Sequence, residues 1–160
     1  MKKFHFSHLL AVALLALSFT FTSCDLINNL SKTNTVNCYY SLAPIGNWKS
    51  TYNELFAITT SDLTNSYDGS TVYAGNNLVI VPISDTAGTI FIKYTSNTYS
   101  PSVVGKWYAV SYKNLTSSSV SLAGAYKASG SSGTTTLEEA ISEFTIENGY
   151  FGTYSECVKQ

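Results

Sequence analysis

Apolar and polar residues alternate in short runs along most of the chain, and residues that favour turns separate these runs. Asp68-Gly69, Asn114 and Asn148-Gly149 accept positive φ, which tight hairpins require. Short strands at this spacing are typical of a β-sandwich or a β-barrel. We therefore predict strands at residues 46–52, 54–60, 71–74, 78–83, 89–95, 105–113, 120–127 and 150–155.

The alternation is clearest in residues 89–95, where Ile90, Ile92 and Tyr94 share one face of the predicted strand. Successive side chains of a strand point to opposite faces, so this face is predicted to be buried. Residues 105–113 carry apolar side chains on both faces. A strand of that kind is central, or a helix covers its outer face.

One segment instead has helical periodicity, with apolar residues at i, i+3, i+4 and i+7: Leu137, Ala140, Ile141 and Phe144. A Thr-x-x-Glu spacing that starts at Thr135 or Thr136 forms a capping box ahead of it. The pattern predicts an all-β domain, a small antiparallel β-barrel or meander, with one short C-terminal amphipathic helix.

The N-terminal residues 1–23 have the three-part form of a secretory signal, with Lys2 and Lys3 ahead of an apolar run. That run is shorter than the roughly 20 residues of a membrane-spanning helix. The residues before Cys24 resemble the lipobox of bacterial lipoproteins. We expect cleavage before Cys24, palmitate or a similar acyl chain on that cysteine, a tether over 24–40 and a barrel domain over 41–160.

This interpretation predicts an exported protein whose lipid anchor attaches it to the membrane of a bacterial cell envelope, without indicating which membrane. The alternative is an ordinary secreted protein with an incidental cysteine. Removal of residues 1–23 leaves seven Lys and ten Asp or Glu, a formal charge of 7 − 10 = −3, and the chain has no Arg. Nucleic acids bind clustered basic residues, so we expect no nucleic-acid partner.

Both histidines, His5 and His8, also lie in the predicted signal, so the mature domain has no imidazole. Catalytic triads, His-ligated zinc and His general bases therefore require residues that it lacks. Half of its acidic residues form a cluster, most of which lies on the predicted helix, where a solvated face is the simpler interpretation: Glu138, Glu139, Glu143, Glu147 and Glu156. We expect a protein that is not an enzyme and that has no metal site and no cofactor.

Two further thiols, Cys38 and Cys157, lie near the start and the end of the predicted domain. Exported chains meet oxidising compartments, so these two cysteines are candidates for a disulfide. Two buried free thiols are the alternative.

The tripeptide Gly46-Asn47-Trp48 resembles the Gly-x-Trp motif of lipocalins and related calycin barrels. The resemblance implies an antiparallel up-and-down barrel of eight strands, with Trp48 as the plug of its closed end. The Arg that stacks on this Trp in the family is absent here, as is the Thr-Asp-Tyr motif. The tail that begins at Phe144 is similar to small lipocalin-like lipoproteins of spirochaetes, so the chain is predicted to be a lipocalin-like lipoprotein.

Two functions follow from these patterns. The first is binding of a small apolar ligand in the barrel, unless bulky residues pack the lumen shut. The residues predicted to plug or line the lumen are Trp48, Phe56, Ile58, Ile90, Ile92, Tyr94 and Tyr126. The alternative is recognition of an envelope protein or a glycan through tyrosines in loops or at strand ends. These tyrosines are Tyr39, Tyr40, Tyr67, Tyr73 and Tyr99.

Overall fold

The computed structural model describes residues 43–160, which form eight strands, one α-helix and one 3₁₀ turn (Pro101–Val103). The strands are β1 (Gly46–Ser50), β2 (Glu54–Ile58), β3 (Leu63–Tyr67), β4 (Ser70–Ser84), β5 (Ala87–Asn97), β6 (Trp107–Lys113), β7 (Ser119–Gly124) and β8 (Ser155–Lys159). The helix is α1 (Leu137–Glu143). The predicted signal of residues 1–23, Cys24, the tether over 24–40 and Cys38 lie outside the described residues.

Each strand pairs antiparallel with the next one along the chain, and β8 pairs back onto β1 to close the barrel. At the closing seam, Trp48 is opposite Lys159 and Ser50 is opposite Cys157. This arrangement confirms the predicted antiparallel up-and-down barrel with one short helix near the C-terminus. No helix among residues 43–160 has the length and apolar character needed to span a membrane.

The strand predictions differ from the structure in three places. Strand β3 was not predicted, because only Leu63 and Tyr67 within it are apolar. The predicted strands 71–74 and 78–83 are one strand, β4, whose register with β5 is irregular near its middle. Strand β8 begins where the predicted last strand, 150–155, ends.

The two ends of the barrel differ in their connections. One end, called the closed end below, carries the short turns 59–62, 85–86 and 114–118, and the chain enters there from Ala43. The other end, called the open end, carries the turns 51–53 and 68–69 and the two long connections 98–106 and 125–154. The long connections can therefore build a site at the open end alone.

At the closed end, Trp48 is buried inside the barrel. Its indole Nε1 donates a hydrogen bond to the Pro44 carbonyl oxygen at 2.7 Å. The Lys159 ammonium lies 5.4 Å from the centroid of the indole ring, close enough for a cation–π interaction. A lysine therefore lies on this tryptophan in a chain that contains no arginine.

Large side chains fill the barrel interior by packing over glycines of neighbouring strands. A Cβ atom built on Gly75 would lie 2.7 Å from Ile92 Cδ1, and one on Gly88 would lie 2.7 Å from the Tyr112 hydroxyl. Both distances are shorter than a van der Waals contact, so the interior is packed against the bare backbone at these positions. The middle of the lumen is consequently occupied by the protein's own side chains.

The helix α1 covers the outer face of β5 and β6. Thr136 is its N-cap and forms a capping box with Glu139, which confirms the prediction and selects Thr136 over Thr135. Ala140 is fully buried between the helix and the sheet. The apolar outer face that the sequence gives to β6 therefore lies beneath the helix.

We expect Ala140→Asp to lower the free energy of unfolding by at least about 3 kcal/mol, because it buries an unpaired carboxylate. Ser142→Asp is the matched control, since Ser142 is exposed on the same helix. We expect the control to change stability by less than about 1 kcal/mol. Urea unfolding monitored by tryptophan fluorescence measures both variants, and equal losses would contradict the packing of α1 on the sheet.

Candidate functional site

Three tyrosines from adjacent strands meet inside the barrel at its open end. Tyr73 of β4, Tyr94 of β5 and Tyr108 of β6 are all buried. The Tyr94 and Tyr108 rings are stacked with centroids 4.8 Å apart, and Tyr73 contacts both edge-on at 5.9 and 5.4 Å. Stacked and edge-to-face geometries are the favourable ones for aromatic rings. We call these three residues the tyrosine floor.

The tyrosine floor fits inside the barrel because a small residue lies on one side of it and an aromatic residue on the other. A Cβ atom on Gly124 of β7 would lie 2.5 Å from the Tyr108 hydroxyl oxygen, so that position requires glycine. On the other side, Phe144, which follows α1, contacts the Tyr108 ring edge-on at 6.1 Å. The helix connection and the barrel interior thus hold the same ring.

Above the tyrosine floor the barrel opens into a cleft of about 440 Å³. Its lining combines aromatic rings with hydroxyl and amide groups and one ammonium group. Besides the floor, the main lining side chains are Asn97, Tyr99, Tyr126, Lys127, Ser131 and Ser132. The rings of Tyr99 and Tyr126 are 79% and 75% exposed, so their faces are free to contact another molecule. We call this space the tyrosine cleft.

One wall of the tyrosine cleft is a loop, residues 127–134, that hydrogen bonds hold in place. The backbone N–H of Ser131 donates to the Tyr150 hydroxyl oxygen at 2.7 Å, and this hydroxyl donates to the Glu143 carboxylate. Thr134 and Trp107 exchange two backbone hydrogen bonds of 2.8 and 3.0 Å. The wall is therefore positioned before any ligand arrives, which reduces the entropy lost on binding.

A carboxylate also lies inside the barrel at the open end. Glu54 begins β2, on the same face as Phe56. It accepts hydrogen bonds from Asn65 Nδ2 at 3.0 Å and from Ser155 Oγ at 3.1 Å. These two donors, from β3 and β8, compensate the carboxylate for the water that it loses. Glu54 therefore ties the strands on either side of the seam together below the mouth.

Burial changes the acidity of the phenols in the tyrosine floor. The pKa values of Tyr73, Tyr94 and Tyr108 are all raised above the ordinary value, chiefly because the phenolate would lose its hydration. For Tyr73 the neighbouring tyrosines and then the Glu54 carboxylate raise the pKa further. The floor therefore stays neutral and provides hydroxyl groups at and well above neutral pH.

Cys157 is a free thiol in the described part of the chain, and its side chain is buried in the barrel. Burial raises the pKa of this thiol to about 12, and the carboxylates of Glu54 and Glu156 add to the shift. A thiol of this kind reacts poorly while the barrel is folded. Cys38 lies outside the described residues, so the disulfide between Cys38 and Cys157 stays a prediction.

Most residues predicted to plug or line the lumen are buried in the barrel. These are Trp48, Phe56, Ile58, Ile90, Ile92 and Tyr94. Tyr126 is the exception and corrects the prediction, since it is largely exposed at the rim of the tyrosine cleft. Strand β7 ends at Gly124 and Ala125 is buried, so the alternation that assigned Tyr126 to the interior stops before it.

Among the predicted recognition tyrosines, Tyr99 and Tyr67 are exposed, whereas Tyr39 and Tyr40 lie outside the described residues. Tyr73 is buried in the tyrosine floor, because β4 is one continuous strand at that position and not a strand end. Tyr108 was not among the predicted site residues. Its signal was its position in β6 on the same face as other inward residues.

No group of three or more His, Cys, Asp or Glu within residues 43–160 is arranged to hold a metal ion. No family model matches the chain, and a search of curated proteins finds no matching sequence.

We expect the barrel to lose stability as the pH rises above about 10, the value of a free phenol. Raised pKa values in the folded state mean that the unfolded chain ionises first, so stability is complete below pH 10 and falls above it. Each such phenol contributes a slope of up to about 1.4 kcal/mol per pH unit. Urea unfolding at pH 8, 9.5 and 11 measures it.

The Tyr73→Phe variant isolates one phenol in this experiment. We expect its free energy of unfolding to fall less steeply between pH 9.5 and 11 than that of the unmodified protein. A stability that is flat across this range, or identical slopes in the two proteins, would contradict the neutral tyrosine floor.

Proposed function

We propose that this chain is an exported, lipid-anchored protein of the bacterial cell envelope that binds a small ligand in the tyrosine cleft. The observation that carries the proposal is the cleft itself, where two exposed aromatic rings stand over a floor of hydroxyl-bearing rings. Concave sites of this size, with aromatic walls and a few polar groups, are typical of small-molecule binding.

Because the interior of the barrel is packed, the open end is a better place for a ligand than the lumen. Ile92 and Tyr112 lie against glycines of neighbouring strands, so a molecule in the middle of the barrel would have to displace them. Displacing packed core side chains costs several kcal/mol, whereas the tyrosine cleft is open already. An apolar ligand, if bound, therefore lies against Tyr126 and the tyrosine floor.

Binding without chemistry is the function that the residues of the tyrosine cleft support. The lining contains one lysine and no carboxylate, thiol or imidazole. General acid–base catalysis works best with a group whose pKa lies near the working pH, and burial raises the pKa values of the floor tyrosines away from neutrality. Glu54, the carboxylate at this end of the barrel, is held by two hydrogen-bond donors from neighbouring strands. We therefore assign it to structure.

Recognition of an envelope protein is the second candidate function. The exposed rings of Tyr99 and Tyr126 favour it, because exposed tyrosines are enriched in the centres of protein interfaces.

Lipid attachment is tested by growing cells with labelled palmitate. We expect the protein to incorporate the label and Cys24→Ala to lose it, because the thiol of Cys24 is the proposed attachment point. Cys38→Ala is the matched control and should keep the label. An unlabelled protein, or equal labelling of the Cys24→Ala variant, would contradict the anchor.

The location of the ligand is tested with a panel of fatty acids, retinoids, haem and mono- and oligosaccharides, using thermal shift and fluorescence titration. We expect saturable binding of at least one compound, and at least about a tenfold loss of affinity in Tyr126→Ala, since the ring supplies much of the contact area. Tyr52→Ala is the matched control because Tyr52 is equally exposed, at 74%, and does not line the cleft. Binding unaffected by Tyr126→Ala would refute the cleft as the site.

A further inference from the structure

The charge of the tyrosine cleft is opposite to that of the domain around it. Residues 43–160 contain six Lys and nine Asp or Glu, a formal charge of 6 − 9 = −3. Lys127 is nevertheless the one charged residue among those that line the cleft. An anionic group is therefore repelled by the domain as a whole and attracted at this position.

Lys127 is held at the wall of the tyrosine cleft by an aromatic ring. Its ammonium lies 5.6 Å from the centroid of the Tyr150 ring, within range of a cation–π interaction. Glu143, which accepts a hydrogen bond from the Tyr150 hydroxyl, lines a separate surface depression and not the tyrosine cleft. Lys127 therefore provides a cation at the wall of the cleft with which a ligand can pair.

The remaining groups of the tyrosine cleft suit a molecule with many hydroxyls better than a hydrocarbon. Asn97, Ser131 and Ser132 place amide and hydroxyl groups along the walls. A purely apolar ligand would remove water from these groups without replacing its hydrogen bonds, which is unfavourable for each group. A sugar replaces those hydrogen bonds.

A sugar ring also has a flat C–H face, which packs on an aromatic ring while its hydroxyls point sideways to polar partners. The exposed rings of Tyr99 and Tyr126 provide two such surfaces at the rim. Tyr150 contacts this loop twice, because its hydroxyl accepts from the Ser131 backbone N–H and its ring lies near the Lys127 ammonium. Stacking surface, hydrogen-bonding groups and a cation therefore occur in one preformed site.

We propose that the tyrosine cleft binds a sugar that carries a carboxylate, of the uronic acid or sialic acid class, at the end of a glycan. The carboxylate pairs with the Lys127 ammonium, and the sugar ring stacks on Tyr126. This proposal rests on the proposed function, since it names the ligand of the same cleft.

Isothermal titration of the purified protein tests the proposal with an oligosaccharide that ends in glucuronic acid and its counterpart that ends in glucose. We expect the acidic sugar to bind at least about tenfold more tightly, because a hydrogen bond between charged groups is stronger than one between neutral groups. The same comparison is made with an oligosaccharide ending in sialic acid and its desialylated form. High salt should weaken the binding of the acidic sugars and leave that of the neutral sugars unchanged.

Three variants identify the groups responsible. Lys127→Gln should reduce the affinity for the acidic sugar about tenfold and change that for the neutral sugar less than about twofold. Tyr126→Ala should weaken the binding of both sugars. Lys49→Gln, which removes an exposed lysine from strand β1, should change neither. An unchanged melting temperature shows that each variant is folded.

The outcomes separate this inference from the proposed function. Equal binding of acidic and neutral sugars, or no effect of Lys127→Gln, would contradict the proposal that the ligand carries a carboxylate. If fatty acids or retinoids bind in a Tyr126-dependent manner and no sugar does, the proposed function stands and this inference falls. If no compound of any class binds, both fall.

Discussion

The pairing of β8 with β1 is the constraint on which the rest of the structure depends. Because the sheet closes on itself, every inward side chain shares one narrow cylinder with those of the other strands. Some of the largest residues are then accommodated where a neighbouring strand offers a glycine, as Gly88 does for Tyr112 and Gly124 for Tyr108. Closure therefore fills the lumen with side chains and leaves recognition to the end where the strands stop.

The open end combines a rigid support with polar groups that are already satisfied. Among the described residues, no buried side-chain nitrogen or oxygen lacks a hydrogen-bond partner. Glu54 is the most demanding case, and donors from β3 and β8 satisfy it. Tyr150 has two roles at the wall. Its ring packs edge-on against the Phe144 ring, with centroids 5.0 Å apart, while its hydroxyl positions the loop. Packing and hydrogen bonding at this end therefore support the same geometry.

The sequence predicts the fold well and the site only in part. Alternation reveals the inward faces of β2, β5 and β6, and the capping box marks the start of α1. The strand β3 escapes detection because buried Asn65 looks polar, although the Asp68-Gly69 turn marks its hairpin. Alternation also places Glu54 inside, yet a carboxylate there becomes reasonable only once its donors are known. The prediction that Tyr126 faces the interior is wrong because no residue next to it in the sequence shows that its strand has ended.

The chain enters the barrel at the closed end, beside Trp48, whereas the tyrosine cleft lies at the opposite end. A tether that reaches the barrel through Ala43 therefore restrains the end that carries no site. The lipid anchor that we propose at Cys24 would therefore join the barrel from the end opposite the tyrosine cleft, so that a bulky glycan could approach the cleft from the side away from the anchor.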